Sequence, residues 1–195
     1  MRRNLLKGLG VILLVTTLWI LLYEINVALF HTLYFNKMVS WIFLPQGLRI
    51  VAVIVFEELG VIGLFFGSLA TIYLNSTILE NHIIIALISA INPYIAVRTS
   101  RFLLNLNSLY TNLSARKLIM IALISALFNS LSHQCYMHIR SMVGIGHDFM
   151  AMFIGDFFGS LILLYCMSAS IKWIKHQHRQ SKGLNNECEE SRPCV

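Results

Sequence analysis

Apolar runs of helix length, divided by short polar breaks, fill most of this chain. A membrane-crossing helix needs roughly 20 residues at 1.5 Å rise each. The first such run covers residues 8–30 and the second 39–56, with Pro45 and Gly47 near its start. Glu57 and Glu58 interrupt the pattern, and a third run follows at 59–74. Further runs cover 82–97, 118–134 and 149–173. The pattern predicts an all-α, polytopic transmembrane helix bundle of about six spans.

The second and third runs admit two readings. A single helix across 46–74 would exceed the bilayer and carry two vicinal carboxylates at its middle, a costly depth for charge. A helical hairpin puts the same glutamates at a turn near water. The hairpin is the reading adopted. Pro45 suits the first helical position, where its missing N–H costs nothing.

Composition agrees with a lipid-embedded chain. Of the 195 residues, 57% are hydrophobic and only 12% charged, leaving too little polar surface to cover a soluble domain. The net charge of +6 would suggest nucleic acid if it were clustered on a soluble face. Its distribution points elsewhere. With the amino terminus inside, twelve lysines and arginines fall in cytoplasmic segments and two, Lys37 and Arg140, in external ones. This positive-inside bias predicts cytoplasmic termini and accounts for the basic charge without nucleic acid. The lipid bilayer itself is the first expected partner.

Arg2, Arg3 and Lys7 before an apolar run resemble a signal peptide, but the run continues to Phe30 without a small-x-small cleavage site. An uncleaved anchor helix is expected. Residues 1–173 read as the transmembrane domain and 174–195 as a polar cytoplasmic tail, frayed and then disordered. Cys135 and Cys166 read as small buried hydrophobes. Cys188 and Cys194 lack partners at zinc-finger spacing, and His176 and His178 do not share a helix face. Neither a metal nor another cofactor is expected.

Ionisable side chains inside apolar runs are the informative exceptions. Here they are Glu24, Arg49 and Asp156, with His133 near the end of the fifth run. Counting from the span ends puts Glu24 roughly 9 Å and Asp156 about 10 Å below the same face. Arg49 and His133 fall toward that side too. The four define a candidate cluster in which Arg49 pairs with Asp156 or Glu24. Two readings stay open: a buried ion pair that fixes helix register, and a ligand pocket open to the outside. Pro45 with Gly47, Gly63, Gly67, Gly155 and Gly159 marks candidate helix-packing positions, since small residues let backbones approach closely. Asn92 and Pro93 predict a bend in the fourth run.

No catalytic motif accompanies these residues. Ser130, Ser132 and His133 are near neighbours on one helix and cannot face each other as nucleophile and base. There is no Gly-x-Ser-x-Gly, no HExxH and no phosphate loop, so the chain is not expected to be an enzyme.

The stretch Phe43-Leu-Pro45-Gln-Gly47-Leu-Arg49-Ile, then Gly63-Leu-Phe-Phe-Gly67-Ser-Leu-Ala after a polar turn, resembles the opening of the first MASE family, membrane-associated sensor domains of bacteria. Gly155-Asp156-Phe-Phe-Gly159-Ser is similar to a Gly-Asp-x-x-Gly stretch near that domain's end, and Arg98 with Arg101 sits where the family has a basic turn. The resemblance covers roughly residues 38–173. It implies an inner-membrane sensory input module, which in that family usually precedes a cyclase, phosphodiesterase or histidine kinase. This chain departs from the pattern, with fewer than the typical eight spans and only a short tail after the last. The leading expectation is a small sensor-like or accessory protein that passes an external cue to a membrane or cytoplasmic protein partner in trans. The competing expectation is a solute-binding or carrier subunit with the charged cluster as its substrate site. A third is a structural subunit of a larger membrane complex.

Overall fold

The computed structural model describes residues 2–33, 40–75, 82–107, 113–140 and 147–190. Every regular element among them is helical. In chain order these are α1 (Arg2–Phe30) with a 3-10 turn at His31–Leu33, α2 (Pro45–Asn75), α3 (His82–Leu103), α4 (Ala115–Ile139) and α5 (His147–Glu190). Five helices are long and apolar enough to cross a membrane.

As the hairpin reading expects, two helical limbs, 45–56 and 58–75, meet at the paired glutamates; they are numbered together as α2 and are interrupted at Glu57. That residue takes φ 49° and ψ −122°, outside the helical region. The break reverses the chain. Trp19 stacks 4.7 Å from the Arg49 guanidinium and also donates from Nε1 to Thr71 Oγ1 at 3.2 Å. Residues 49 and 71 of a straight helix would stand about 33 Å apart, out of reach of one indole. A Cβ at Gly60 would collide with the Ala52 carbonyl, so the limbs 45–56 and 58–75 lie backbone to backbone beside the turn.

α1 runs alongside the second limb. Val15 packs where Gly63 has no side chain, Trp19 where Gly67 has none, and Thr16 Oγ1 donates to the Gly63 carbonyl at 3.0 Å. Leu59 lies against Gly8, so α1 begins at the turn end of the bundle. α5 descends beside the first limb, with Gly155, Gly159 and Leu163 meeting Ser40, Phe43 and Gly47 in turn. It therefore leaves the bundle at the end where α1 begins. The shared core is made of Val15, Trp19, Ile50, Val53, Leu64, Val97 and Ile121 with several alanines. Small side chains there permit the close helix approach typical of lipid-embedded bundles.

Local sequence explains the ends of the helices. Ser114 caps α4 from an extended backbone, its hydroxyl accepting from Lys117 N. α3 ends in a Schellman turn: Asn105 adopts φ 47°, and Leu106 N donates to the Arg101 carbonyl at 3.0 Å. Pro93 lies inside α3 and cannot donate to the Ser89 carbonyl, but the helix continues to Leu103.

Two expectations change here. α5 continues as helix through Glu190, where the tail after residue 173 was expected to fray. Its Lys, Gln, Glu and Leu residues favour helix, and the next proline is Pro193, past the helix end. Cys135 and Cys166 are exposed, not buried, because each stands on the outward face of its helix. The expectations for the loops around Lys37, and for Arg192 and Cys194, lie outside the described residues.

Candidate functional site: a polar core between the helices

The first limb of α2 is only twelve residues, about 18 Å long, too short to cross a hydrocarbon core by itself. Residues 40–44 precede it in non-helical conformation and pack into the bundle against α5. Irregular backbone packed inside a lipid-embedded bundle needs internal partners. Phe43 N donates to the Gly155 carbonyl at 3.0 Å, and Leu44 N donates to Asn26 Oδ1 at 2.8 Å. A Cβ at Gly155 or Gly159 would strike the carbonyls of Ser40 or Phe43, so glycine is required for the approach.

Immediately after this segment the polar residues converge. Arg49 is 4% exposed, with its guanidinium over Trp19 at 4.7 Å and Phe43 at 5.6 Å. Its Nη1 donates to Gln46 Oε1 at 2.7 Å, and Gln46 Nε2 donates to Ser125 Oγ at 3.0 Å. One turn further along α4, Asn129 Nδ2 donates to Asp156 Oδ2 at 2.6 Å. His133, another turn on, lies 3.3 Å from Ser89 Oγ of α3 through Nε2. Ser125, Asn129 and His133 follow a four-residue period and form one polar stripe on α4.

The structure separates the four residues predicted to cluster. Arg49, Asp156 and His133 share the core, and each acidic or imidazole group lies within the electrostatic reach of the guanidinium. Glu24 does not join them; it is on the exposed face of α1, and Asn26, two residues on, turns inward in its place. Arg49 and Asp156 make no direct ion pair. The guanidinium is taken up by Gln46 and two aromatic faces, while the carboxylate is held by Asn129. The predicted fork is thus replaced by two separate hydrogen bonds, one within α2 and one between α4 and α5. The predicted packing positions all lie at contacts: Pro45 is fully buried at the start of α2, and a Cβ at Gly47 would press Leu163 at 2.9 Å.

Sequence reasoning missed Gln46, Asn129, Ser125, Ser89 and Asn26. The four-residue spacing of polar residues on α4 was the available signal. Several buried polar atoms in the core have no protein partner, among them Arg49 Nε, Asn129 Oδ1 and Asn26 Nδ2. Buried polar groups are ordinarily satisfied, so these donors and acceptors can take water or a small polar ligand, or exchange partners if the helices shift.

Among known families, the model described as MASE1 matches residues 9–189. Neither the curated proteins nor the solved structures provide a match. The matched region contains the whole polar core and most of the extended α5.

Proposed function

The chain belongs to the MASE1 family of membrane-associated sensor domains, and from that premise we propose that it is an inner-membrane sensory input module relaying an external cue to an output partner. One observation carries the reading. Hydrogen bonds from α2 and α5 meet one polar stripe on α4, Gln46 at Ser125 and Asp156 at Asn129; residues 40–44 bond the α5 backbone at Gly155, and α5 is the helix that continues to Glu190. Under the positive-inside arrangement, residues 40–44 enter from the outer face and α5 leaves on the cytoplasmic one, so six crossings place both termini inside.

In this reading a cue acting on residues 40–44 moves the backbone seam at Gly155 and Gly159, and with it the start of α5. The core supports such a shift because its buried groups have spare hydrogen-bonding capacity. A ligand shifts an equilibrium only by its differential affinity for the two arrangements, so the unpartnered atoms are where that difference would arise. The site acts by binding and relay, without bond chemistry, and a cytoplasmic partner in trans should copurify in mild detergent.

Spin labels at positions 117 and 180 of the full chain in membranes test the relay. Asp156→Asn and Gln46→Ala should each redistribute the distance between α4 and the α5 extension. A distribution unchanged in both variants would remove the relay reading.

A further inference from the structure

We infer that the recess where α3 ends is a headgroup site for an anionic phospholipid. Arg98, Arg101, Phe102, Asn105, Leu106 and Asn107 line this open recess of about 650 Å³. Arg98 and Arg101 stand one turn apart on the same helix face, so two guanidinium groups serve one anion. The Schellman turn then folds the chain back, and Asn105 and Asn107 line the same recess. Guanidinium groups bind phosphate oxygens in a planar, two-pronged geometry.

Depth and polarity select a lipid over a dissolved phosphate. α3 has 22 residues, about 33 Å of helix, so its last turn reaches headgroup level when the rest crosses a core of about 30 Å. Phe102 is 84% exposed beside the arginines, and Leu103 is 59% exposed next to it. A polar wall continuous with an exposed apolar edge matches a phosphate and the top of its acyl chains. A free anion would gain nothing from Phe102.

The recess borders the α2 reversal. Arg98 Nη2 donates to Glu58 Oε1 at 3.5 Å and to the Tyr94 hydroxyl at 3.1 Å, and Tyr94 also donates to Glu58 at 3.3 Å. This ion pair is long and solvent-exposed on both sides, a weak kind of contact. A phosphodiester competes with Glu58 for Arg98, so headgroup binding loosens the tie between α3 and the turn at Glu57.

Competition predicts opposite effects from two substitutions. The full-length chain, purified in detergent, is titrated with phosphatidylglycerol or phosphatidylcholine and bound lipid is read by native mass spectrometry. Phosphatidylglycerol should bind in preference, and Arg98→Gln with Arg101→Gln should weaken that binding on the order of tenfold or more. Glu58→Gln should strengthen it. Arg98→Lys with Arg101→Lys, which keeps the charge, should fall between, and it covers the case in which the glutamine variant misfolds. Arg116→Gln with Lys117→Gln, basic residues outside the recess, should leave binding unchanged. Equal binding of phosphatidylcholine, an equal loss on changing Arg116 and Lys117, or weaker binding by Glu58→Gln would each overturn the site. Displacement of the lipid by millimolar inorganic phosphate would overturn the assignment to a lipid.

Discussion

Asp156 depends on one side chain for its stability in the core. Asn129 is the donor to its carboxylate among the described residues, and both groups are buried. Asn129→Leu would leave the buried carboxyl group without its hydrogen bond, a loss of about 3 kcal/mol or more. Asp156→Asn keeps the shape and an acceptor oxygen, so it should cost less, about 1–3 kcal/mol. Thermal unfolding in detergent should therefore rank Asn129→Leu below Asp156→Asn, and the reverse order would show that Asn129 does not hold the carboxylate. The sequence made Arg49, His133 and Asp156 legible because charge or imidazole within an apolar run stands out. Gln46, Ser125 and Asn129 were not legible in the same way. Uncharged polar residues are common in membrane helices, and which face they occupy depends on neighbours the sequence does not reveal. Glu24 stood out for the right chemical reason but sits on the wrong side of α1. A rotation of two residues, about 200°, separates its direction from that of Asn26.

Helix existence followed from apolar length, and the paired glutamates located the reversal within α2 because a turn is the affordable place for them. The break itself falls on Glu57, at a positive φ that favours glycine, which no periodicity argument would assign. The approach of residues 40–44 to α5 was only half legible. Gly155 and Gly159 read as helix-packing positions, yet what packs on them is the non-helical backbone of residues 40–43. That distinction gives a sharp comparison between glycines. At Gly159 an added methyl meets backbone carbonyl and amide atoms that cannot rotate away, so Gly159→Ala should destabilise by about 1–3 kcal/mol. Gly10 has nothing within 4 Å of the same position, and Gly10→Ala should be neutral or stabilise by up to about 1 kcal/mol through helix propensity. Equal melting temperatures for the two variants would mean that the seam on α5 is looser than its geometry.

Both α1 and α5 reach the same end of the bundle, the end that also carries the Glu57 turn and the Arg98 recess. Under the proposed topology that end faces the cytoplasm. Reporter fusions at positions 33, 78 and 144 should then read external, and fusions at 108 and 185 internal. A cytoplasmic signal at 144 would break the six-crossing arrangement. The junction at Pro45 bears on how the molecule fits its bilayer. Extended chain covers about 3.3 Å per residue and helix 1.5 Å, so each residue converted from one to the other alters the crossing by about 1.8 Å. Proline disfavours helix at the residue before it, which stops α2 from growing backward through Leu44. Residues 40–44 and the first limb of α2 therefore form a crossing of set length, a ruler ratcheted at one tooth. A membrane that thickens or thins cannot be met by rewinding this stretch. Under the proposed topology the mismatch would pass instead to the glycine seam, where Gly155 and Gly159 meet the backbone of residues 40–44.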